Sequence, residues 1–299
     1  MNEAYGAQRY REACALLPER MRDAALSIPP AEQAETEEIR LRRFLYLTTP
    51  AGERRVRGVQ VEPGDLEYVL DAVTGYSRYT AAATIPQGFL TAQGGFRVGL
   101  CGTAILEGQA VTGFRDLSSL SIRIPREQIG LADQVLPALW EDGRLLPTLI
   151  LSPPGGGKTT LLRDLVRSLS DDRGVRVSLV DERGELAAVY LGRPQLQVGL
   201  HTDVMDACPK AIAIPALLRA MNPQVIAVDE VALRADVEAM ERAVNAGASL
   251  LATVHGESVK ELWRKPLFAG LLELGVFRRA VVISRRNGER RYAVEDLGP

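Results

Sequence analysis

The sequence contains few of the residues that build metal centres and disulfide frameworks. Of its 299 residues, only three are cysteine and two are histidine. Cys14, Cys101 and Cys208 are scattered with no Cys-x-x-Cys pair, which argues against a zinc site and favours a reducing compartment. The two histidines, His201 and His255, are too few for a histidine-rich metal centre, so a centre of that kind is excluded.

Long apolar runs and a strong charge of one sign are also missing. The best candidate for a membrane span, residues 267–283, is interrupted by Glu273, Arg278 and Arg279. The first residues lack the apolar core of a signal peptide. The net charge is -2, whereas a protein that coats nucleic acid is usually more basic. We therefore expect a cytoplasmic protein that has no membrane span, reaches any membrane through partners, and does not have nucleic acid as its main partner.

A glycine-rich segment between an apolar strand and an amphipathic helix predicts a phosphate-binding loop. Residues 149–160 read Leu-Ile-Leu-Ser-Pro-Pro-Gly-Gly-Gly-Lys-Thr-Thr, and this placement argues against the alternative of an ordinary glycine-rich turn. Consecutive glycines let backbone N–H groups turn toward an anion, and the dipole of the following helix adds positive potential. Lys158 is expected to reach the β- and γ-phosphates of a nucleoside triphosphate, and Thr159 to ligate Mg²⁺. The predicted binding residues are Gly155, Gly156, Gly157, Lys158, Thr159 and Thr160.

Two apolar strands downstream of this loop end in acidic pairs. Asp229 is expected to hold the Mg²⁺ shell beside Thr159, and Glu230 to orient and deprotonate the attacking water. Capping of the next helix is the alternative for this pair. Asp181 and Glu182 follow an earlier strand, where they could hold Mg²⁺ waters or the lytic water. For this second pair, simple surface charge explains the sequence equally well.

The order of these motifs predicts the class of the fold. A strand lies between the phosphate loop and the metal aspartate in the sequence, which is typical of RecA-like ATPases rather than of kinases or small GTPases. His255 follows a later strand, in Ala-Thr-Val-His-Gly, and its position favours a hydrogen bond to the γ-phosphate over a purely structural role. In open α/β sheets, ligands bind at the carboxyl ends of the strands, so these polar residues are expected to converge there.

Periodicity divides the chain into two predicted domains, residues 1–129 and 130–299. The first is predicted to be a smaller α+β domain with an antiparallel sheet, and it begins with a helix over residues 10–28. The second begins with a helix over residues 131–140 and then alternates strands with helices, which indicates an α/β domain with a mainly parallel sheet.

The ordered motifs of the second domain, with the Gly-Phe-Arg-Val-Gly-Leu-Cys-Gly run at residues 95–102, resemble the stage III sporulation protein AA family. The motifs are Pro-Pro-Gly-Gly-Gly-Lys-Thr-Thr, Val-Asp-Glu-Arg-Gly-Glu, Thr-Asp-Val-Met-Asp-Ala-Cys-Pro-Lys, Val-Asp-Glu and Thr-Val-His-Gly. That family is similar to the type II and type IV secretion ATPases. By this resemblance, residues 181–182 match the aspartate box, residues 229–230 the Walker B motif, and His255 the histidine box.

The resemblance also implies an assembly and a setting. It implies ATP and Mg²⁺ as cofactors, and a homo-oligomer, often a hexameric ring, with each nucleotide between two domains. Four arginines are candidates for a finger that reaches a neighbouring subunit, although a structural role is the alternative for each: Arg115, Arg123, Arg193 and Arg219. The resemblance favours Arg115 and Arg123. It places the motor in the mother-cell cytoplasm of an endospore-forming bacterium, with membrane components of the channel to the forespore as partners.

Three functions remain open from the sequence. The first is an ATP-hydrolysing motor that powers or gates a membrane channel. The second is a RecA-like ATPase that depends on nucleic acid, which the slightly acidic chain and its few aromatic residues disfavour. The third is a nucleotide-binding scaffold that hydrolyses ATP weakly, against which Glu230 argues.

Overall fold

Two separately packed units make up the chain. The computed structural model describes residues 3–75, 84–273, 275–286 and 289–298. The first unit comprises Met1–Arg126 and Ala188–Gln195, and the second comprises Glu127–Ala187 and Leu196–Pro299. Nothing in the sequence pattern indicated that residues 188–195 pack with the first unit, and the domain boundary at residues 129 and 130 stays a prediction.

An antiparallel sheet with helices forms the first unit. Its helices among the described residues are α1 (Glu3–Cys14), α2 (Glu19–Leu26), α3 (Pro30–Glu35) and α4 (Pro63–Val73). Its strands are β1 (Glu38–Leu41), β2 (Phe44–Thr49), β3 (Gly52–Gln60), β4 (Phe89–Thr91), β5 (Arg97–Glu107) and β6 (Ala110–Arg123). The strand order is β3-β2-β1-β6-β5-β4, and every pair is antiparallel. This confirms the predicted α+β class.

Helices α1 and α3 pack so closely at Gly6 that there is no space for a Cβ atom. A Cβ atom on Gly6 would lie 2.6 Å from the carbonyl oxygen of Ala34, so one of the two backbones would have to move. In a helix interior, Gly→Ala usually stabilises by about 1 kcal/mol. We expect Gly6→Ala to destabilise the protein instead, by about 1–3 kcal/mol, because the overpacked helices must separate.

The control for this prediction is another helical glycine with free space around it. A Cβ on Gly270 would meet nothing within 4 Å. Differential scanning calorimetry should show a lower midpoint for Gly6→Ala and an unchanged or higher one for Gly270→Ala. A Gly6→Ala protein as stable as the wild type would contradict the close packing of α1 on α3.

Strands and helices alternate in the second unit. Its helices among the described residues are α5 (Leu136–Leu139), α6 (Lys158–Asp171), α7 (Lys210–Met221), α8 (Arg234–Asn245), α9 (Val259–Trp263) and α10 (Pro266–Glu273). Its strands are β7 (Trp140–Glu141), β8 (Arg144–Leu145), β9 (Thr148–Ser152), β10 (Val177–Asp181), β11 (Thr202–Asp206), β12 (Val225–Val228), β13 (Ser249–His255), β14 (Arg279–Arg286) and β15 (Glu289–Asp296).

The large sheet of the second unit is parallel except at one edge. Its order is β11-β10-β12-β13-β9-β14-β15, and only β15 runs antiparallel to its neighbour. Every residue of β9, β10 and β12 is buried, because helices cover both faces of such a sheet. The predicted α/β class with a mainly parallel sheet is therefore confirmed.

The sheet order places the predicted motifs differently from their order in the sequence. The strand between β9 and β12 in the sheet is β13, which carries His255, and β10 lies beyond β12. Asp181 and Glu182 are therefore separated from the phosphate-loop strand by two other strands. The carboxyl ends of these parallel strands still meet at one edge of the sheet, where the candidate site lies.

Two of the predicted helices were wrong in extent, and proline is the cause in both. Residues 10–28 contain the end of α1 and a separate α2, with Pro18 between them. In residues 131–140, only the short α5 is an α-helix, and Pro137 lies in its first turn. Proline lacks the N–H that a helix interior needs, so it commonly interrupts a helix or lies near the start of one. Among the described residues, no helix combines the length and apolar character needed to cross a bilayer.

Candidate active site

The phosphate loop connects β9 to α6 with a backbone that glycine alone accommodates easily. Gly155 and Gly157 have φ values of 71° and 103°, in the left-handed region that side chains disfavour. A Cβ on Gly156 would collide with the Ser152 side chain. Helix α6 starts at Lys158, and no side chain caps its first turn. Its first N–H groups therefore remain available to an anion, together with the helix dipole.

Lys158 is held at the base of the loop. Its Nζ donates to the carbonyl oxygen of Ser152 at 3.1 Å and lies 3.0 Å from Nδ1 of His255. Burial lowers the pKa of Lys158, and the nearby carboxylates of Asp229 and Glu230 oppose that shift. The two acidic residues therefore help to keep the buried ammonium charged beside the loop.

Thr159 and Asp229 meet although 70 residues separate them in the chain. Thr159 Oγ1 donates to Asp229 Oδ2 at 2.9 Å. The other oxygen of Asp229, Oδ1, accepts a hydrogen bond from the hydroxyl of Thr253, which is completely buried on β13. The same Thr253 hydroxyl accepts the backbone N–H of Glu230 at 2.8 Å. One hydroxyl on the neighbouring strand therefore positions both residues of the acidic pair.

Glu230 and His255 form the exposed side of the site. Glu230 has a left-handed backbone, with φ of 50°, and its carboxylate contacts both His255 and Arg183. A protonated Lys158 has only donors, so Nδ1 of His255 accepts, which leaves Nε2 as the donor nitrogen of the ring. That Nε2–H then donates to Glu230 Oε1 at 2.7 Å. A continuous chain of polar contacts therefore connects the loop lysine to the predicted general base.

The second acidic pair is engaged by its own neighbourhood. The buried carboxylate of Asp181 accepts the backbone N–H groups of Glu185, Leu186 and Ala187 at 2.8 to 3.1 Å, which fixes the turn after β10. Glu182 forms an ion pair with Lys210, the buried first residue of α7. The contacts of this pair are thus structural, and the predicted roles of Asp181 in metal binding and of Glu182 in catalysis stay predictions.

The two favoured arginines, Arg115 and Arg123, lie in the first unit, on β6. Arg115 is highly exposed and lies 3.4 Å from the carboxylate of Asp116. Arg123 is exposed at the end of the strand, where its backbone pairs with Glu38 and Arg97. Their predicted role toward a neighbouring subunit stays a prediction. Arg193 lies in the segment that packs with the first unit, and Arg219 is exposed in the last turn of α7.

Three residues of this site were missed by sequence reasoning. Thr253 positions Asp229 and Glu230, Arg183 pairs with Glu230, and Lys210 pairs with Glu182. Only Thr253 had a signal in the sequence, as a single hydroxyl inside an otherwise apolar strand. The partners of Arg183 and Lys210 depend on the strand order, which the sequence did not reveal.

The residues present fit a nucleotide with Mg²⁺. Glycines form an anion cradle that a Cβ would fill, a buried lysine stands at its base, and a hydroxyl–carboxylate pair adjoins it. Hydroxyl and carboxylate oxygens are ligands that Mg²⁺ prefers, and phosphates and water usually complete its shell. Thr159 and Asp229 would thus supply the protein side of such a site.

A parallel sheet, a phosphate loop before α6 and a strand-end carboxylate beside Thr159 together define a P-loop ATPase fold of the RecA-like class. The ATPase DotB of Yersinia pseudotuberculosis shares this fold, with a TM-score of 0.61 and 16% identity, over 94% of this chain and 80% of that chain. The pilus retraction motor PilT, solved with bound ADP, has a TM-score of 0.60 and 15% identity, over 87% of this chain and 78% of that chain.

The family within this class follows from the sequence match. Residues 9–293 match the family described as sporulation stage III, protein AA. Stage III sporulation protein AA of Bacillus subtilis (strain 168) is 39% identical over 287 residues, which cover 93% of this chain and 92% of that protein. The chain therefore belongs to the sporulation stage III protein AA family, as its motifs predicted.

Proposed function

We propose that this protein is a Mg²⁺-dependent ATPase that powers or gates the channel between mother cell and forespore during endospore formation. The observation that carries the ATPase proposal is the contact between Thr159 and Asp229 beside Lys158. These three residues come from a loop and a strand end far apart in the chain. Their convergence supplies the hydroxyl, carboxylate and ammonium that ATP hydrolysis with Mg²⁺ requires.

Each residue has a distinct role in this proposal. The N–H groups from Gly155 to Thr160 bind the phosphates, and Lys158 neutralises their charge. Bound Mg²⁺ would neutralise phosphate oxygens, with Thr159 and Asp229 as its protein ligands. Glu230 orients the attacking water and accepts its proton.

His255 would link hydrolysis to the phosphate end of the nucleotide. Its ring contacts both Lys158 and Glu230, so a shift of the lysine toward a phosphate changes the hydrogen bonding of the base. The catalytic side chains are partly open to solvent, with His255 43% and Glu230 29% exposed. A residue from a second copy of the chain can therefore approach them.

We further propose a homo-oligomer, a hexameric ring, in which Arg115 and Arg123 serve the nucleotide of a neighbouring subunit. Family membership supports a role in sporulation, and the likeness to the ATPase DotB and to the pilus retraction motor PilT supports a motor. The proposed location is the mother-cell cytoplasm, where membrane components of the channel would hold the protein at the membrane. Nucleic acid is not among the proposed partners.

The test is the ATP hydrolysis rate per subunit, measured over a wide range of protein concentration. We expect the specific rate to rise and then saturate, because active sites completed between subunits form only in the assembled ring. Sedimentation of the same samples should show that the oligomer forms over the concentration range in which the hydrolysis rate per subunit rises. The Glu230→Gln protein, purified in parallel, sets the background from contaminating enzymes.

Other outcomes of this test would favour the other functions. ADP or ATP binding with no turnover, even with the membrane partners supplied, would favour a scaffold. Turnover that rises strongly on addition of DNA would favour a nucleic-acid-dependent ATPase. A specific rate that is high and independent of concentration would contradict active sites shared between subunits.

A further inference from the structure

The C-terminal hairpin extends over the phosphate loop. Strand β14 is parallel to β9, with Val282 opposite Leu151, so its last residues continue past the end of β9 on the side of the loop. Strand β15 then returns antiparallel, with Arg290 opposite Arg285. This register brings an arginine-rich part of the hairpin close to the phosphate loop.

Arg290 contacts the loop at its last glycine. A Cβ on Gly157 would lie 2.9 Å from both Cζ and Nε of Arg290, so the guanidinium group packs directly on the glycine backbone. Gly157 immediately precedes Lys158 and the first turn of α6. The guanidinium group therefore lies beside the N–H groups that are proposed to bind the phosphates.

The charge of Arg290 is only partly satisfied by the protein. Its Nη1 donates to Gln128 Oε1 at 2.9 Å, whereas its Nε is buried without a hydrogen-bond partner. Within the described part of the chain, no carboxylate lies within 4 Å of its nitrogens. An unsatisfied buried donor next to an anion cradle favours an anionic ligand, because guanidinium groups bind phosphate with strong charge-assisted hydrogen bonds.

The sheet order indicates which phosphates Arg290 would contact. In the sheet, β13 and β14 flank β9 on opposite sides. His255, at the end of β13, and Glu230, after β12, mark the side where the γ-phosphate would be hydrolysed in the proposed mechanism. Arg290 lies on the β14 side, where the inner phosphates of the nucleotide would continue toward the nucleoside.

We infer that Arg290 is a nucleotide-binding residue that contacts the inner phosphates of the nucleotide bound in its own subunit. This inference rests on the proposed function, since it needs a nucleotide at the phosphate loop. It predicts that the loss of Arg290 lowers the affinities for ADP and for ATP by the same factor, because both nucleotides contain the inner phosphates. A residue that contacted only the γ-phosphate would weaken ATP alone.

The experiment is isothermal titration calorimetry of the full chain with ADP and with a non-hydrolysable ATP analogue. Four variants are compared with the wild type: Arg290→Ala, Arg290→Lys, Arg291→Ala and Lys158→Ala. Arg291 is the matched control, since it is exposed and alternation places it on the other face of the same strand. Arg290→Lys keeps the charge and serves if Arg290→Ala does not fold, as judged by circular dichroism.

We expect Arg290→Ala to weaken both ligands about ten-fold or more, and Arg290→Lys to recover part of that loss. Arg291→Ala should bind like the wild type, and Lys158→Ala should bind poorly. If Lys158→Ala loses binding while Arg290→Ala matches the wild type, this inference is overturned and the proposed function stands. Equal losses for Arg290→Ala and Arg291→Ala, or a loss for the ATP analogue alone, would also overturn it. A wild type that binds neither ligand would overturn the proposed function as well.

Discussion

Glu230→Gln is expected to lower ATP turnover at least about a hundred-fold while leaving nucleotide affinity nearly unchanged. A positioned general base contributes about 10² to 10⁴ to a rate, and an amide cannot accept the proton of the attacking water. Of the two carboxylates that help to keep Lys158 charged, Asp229 has the larger effect and is unchanged in this variant, so ATP should still bind. The measurement is kcat from steady-state ATP hydrolysis, together with the Kd for ATP from calorimetry.

The surroundings of Glu230 make this substitution a clean test. Glutamine has the shape of glutamate, and its carbonyl oxygen can still accept from Nε2 of His255. The change removes the ion pair with Arg183, but that arginine is 65% exposed, so the effect on stability should be small. A large loss of turnover with an unchanged thermal midpoint would therefore reflect chemistry rather than folding.

Glu182→Gln is the matched control, because the sequence predicted a catalytic role for that residue too. Glu182 pairs with Lys210, whereas Glu230 contacts the histidine that touches Lys158. We therefore expect Glu182→Gln to reduce turnover much less than Glu230→Gln. If Glu182→Gln proves the more damaging of the two, the assignment of Glu230 as the base is wrong.

Patterns confined to a few neighbouring residues were enough to predict the class of the fold. The phosphate loop depends on consecutive glycines followed by Gly-Lys-Thr, and the buried strands read as short apolar runs. The predicted helix boundaries were wrong near Pro18 and Pro137, because a single proline interrupts a helix even where the apolar periodicity continues.

The order of strands in the sheet could not be read from the sequence, and the finer contacts depend on it. The insertion of β13 between β9 and β12 brings Thr253 to Asp229 and His255 to Lys158. The position of β14 beside β9 brings Arg290 to Gly157. These are contacts between distant segments, and no local spacing encodes them. Sequence patterns therefore identified the residue types at the strand ends, and the topology determined their partners.

Thr253→Val is expected to lower both stability and activity, although it barely changes the volume of the side chain. The substitution leaves the backbone N–H of Glu230 without its acceptor and Asp229 without one of its donors. A buried polar group that loses its partner costs about 1–3 kcal/mol, so the free energy of unfolding should fall by about that amount. Because both residues of the acidic pair lose their anchor, turnover should fall about ten- to a hundred-fold, as is typical when the support of a metal ligand is removed.

Thr253→Ser supplies the control, since it restores the hydroxyl and removes only a methyl group. Two measurements separate positioning from stability: urea unfolding, and ATP turnover as a function of Mg²⁺ concentration. Weaker support of Asp229 should raise the Mg²⁺ concentration for half-maximal turnover in Thr253→Val and leave it near the wild-type value in Thr253→Ser. A Thr253→Val protein that is less stable but keeps the wild-type Mg²⁺ dependence and kcat would show that Thr253 supports the fold without positioning the acidic pair.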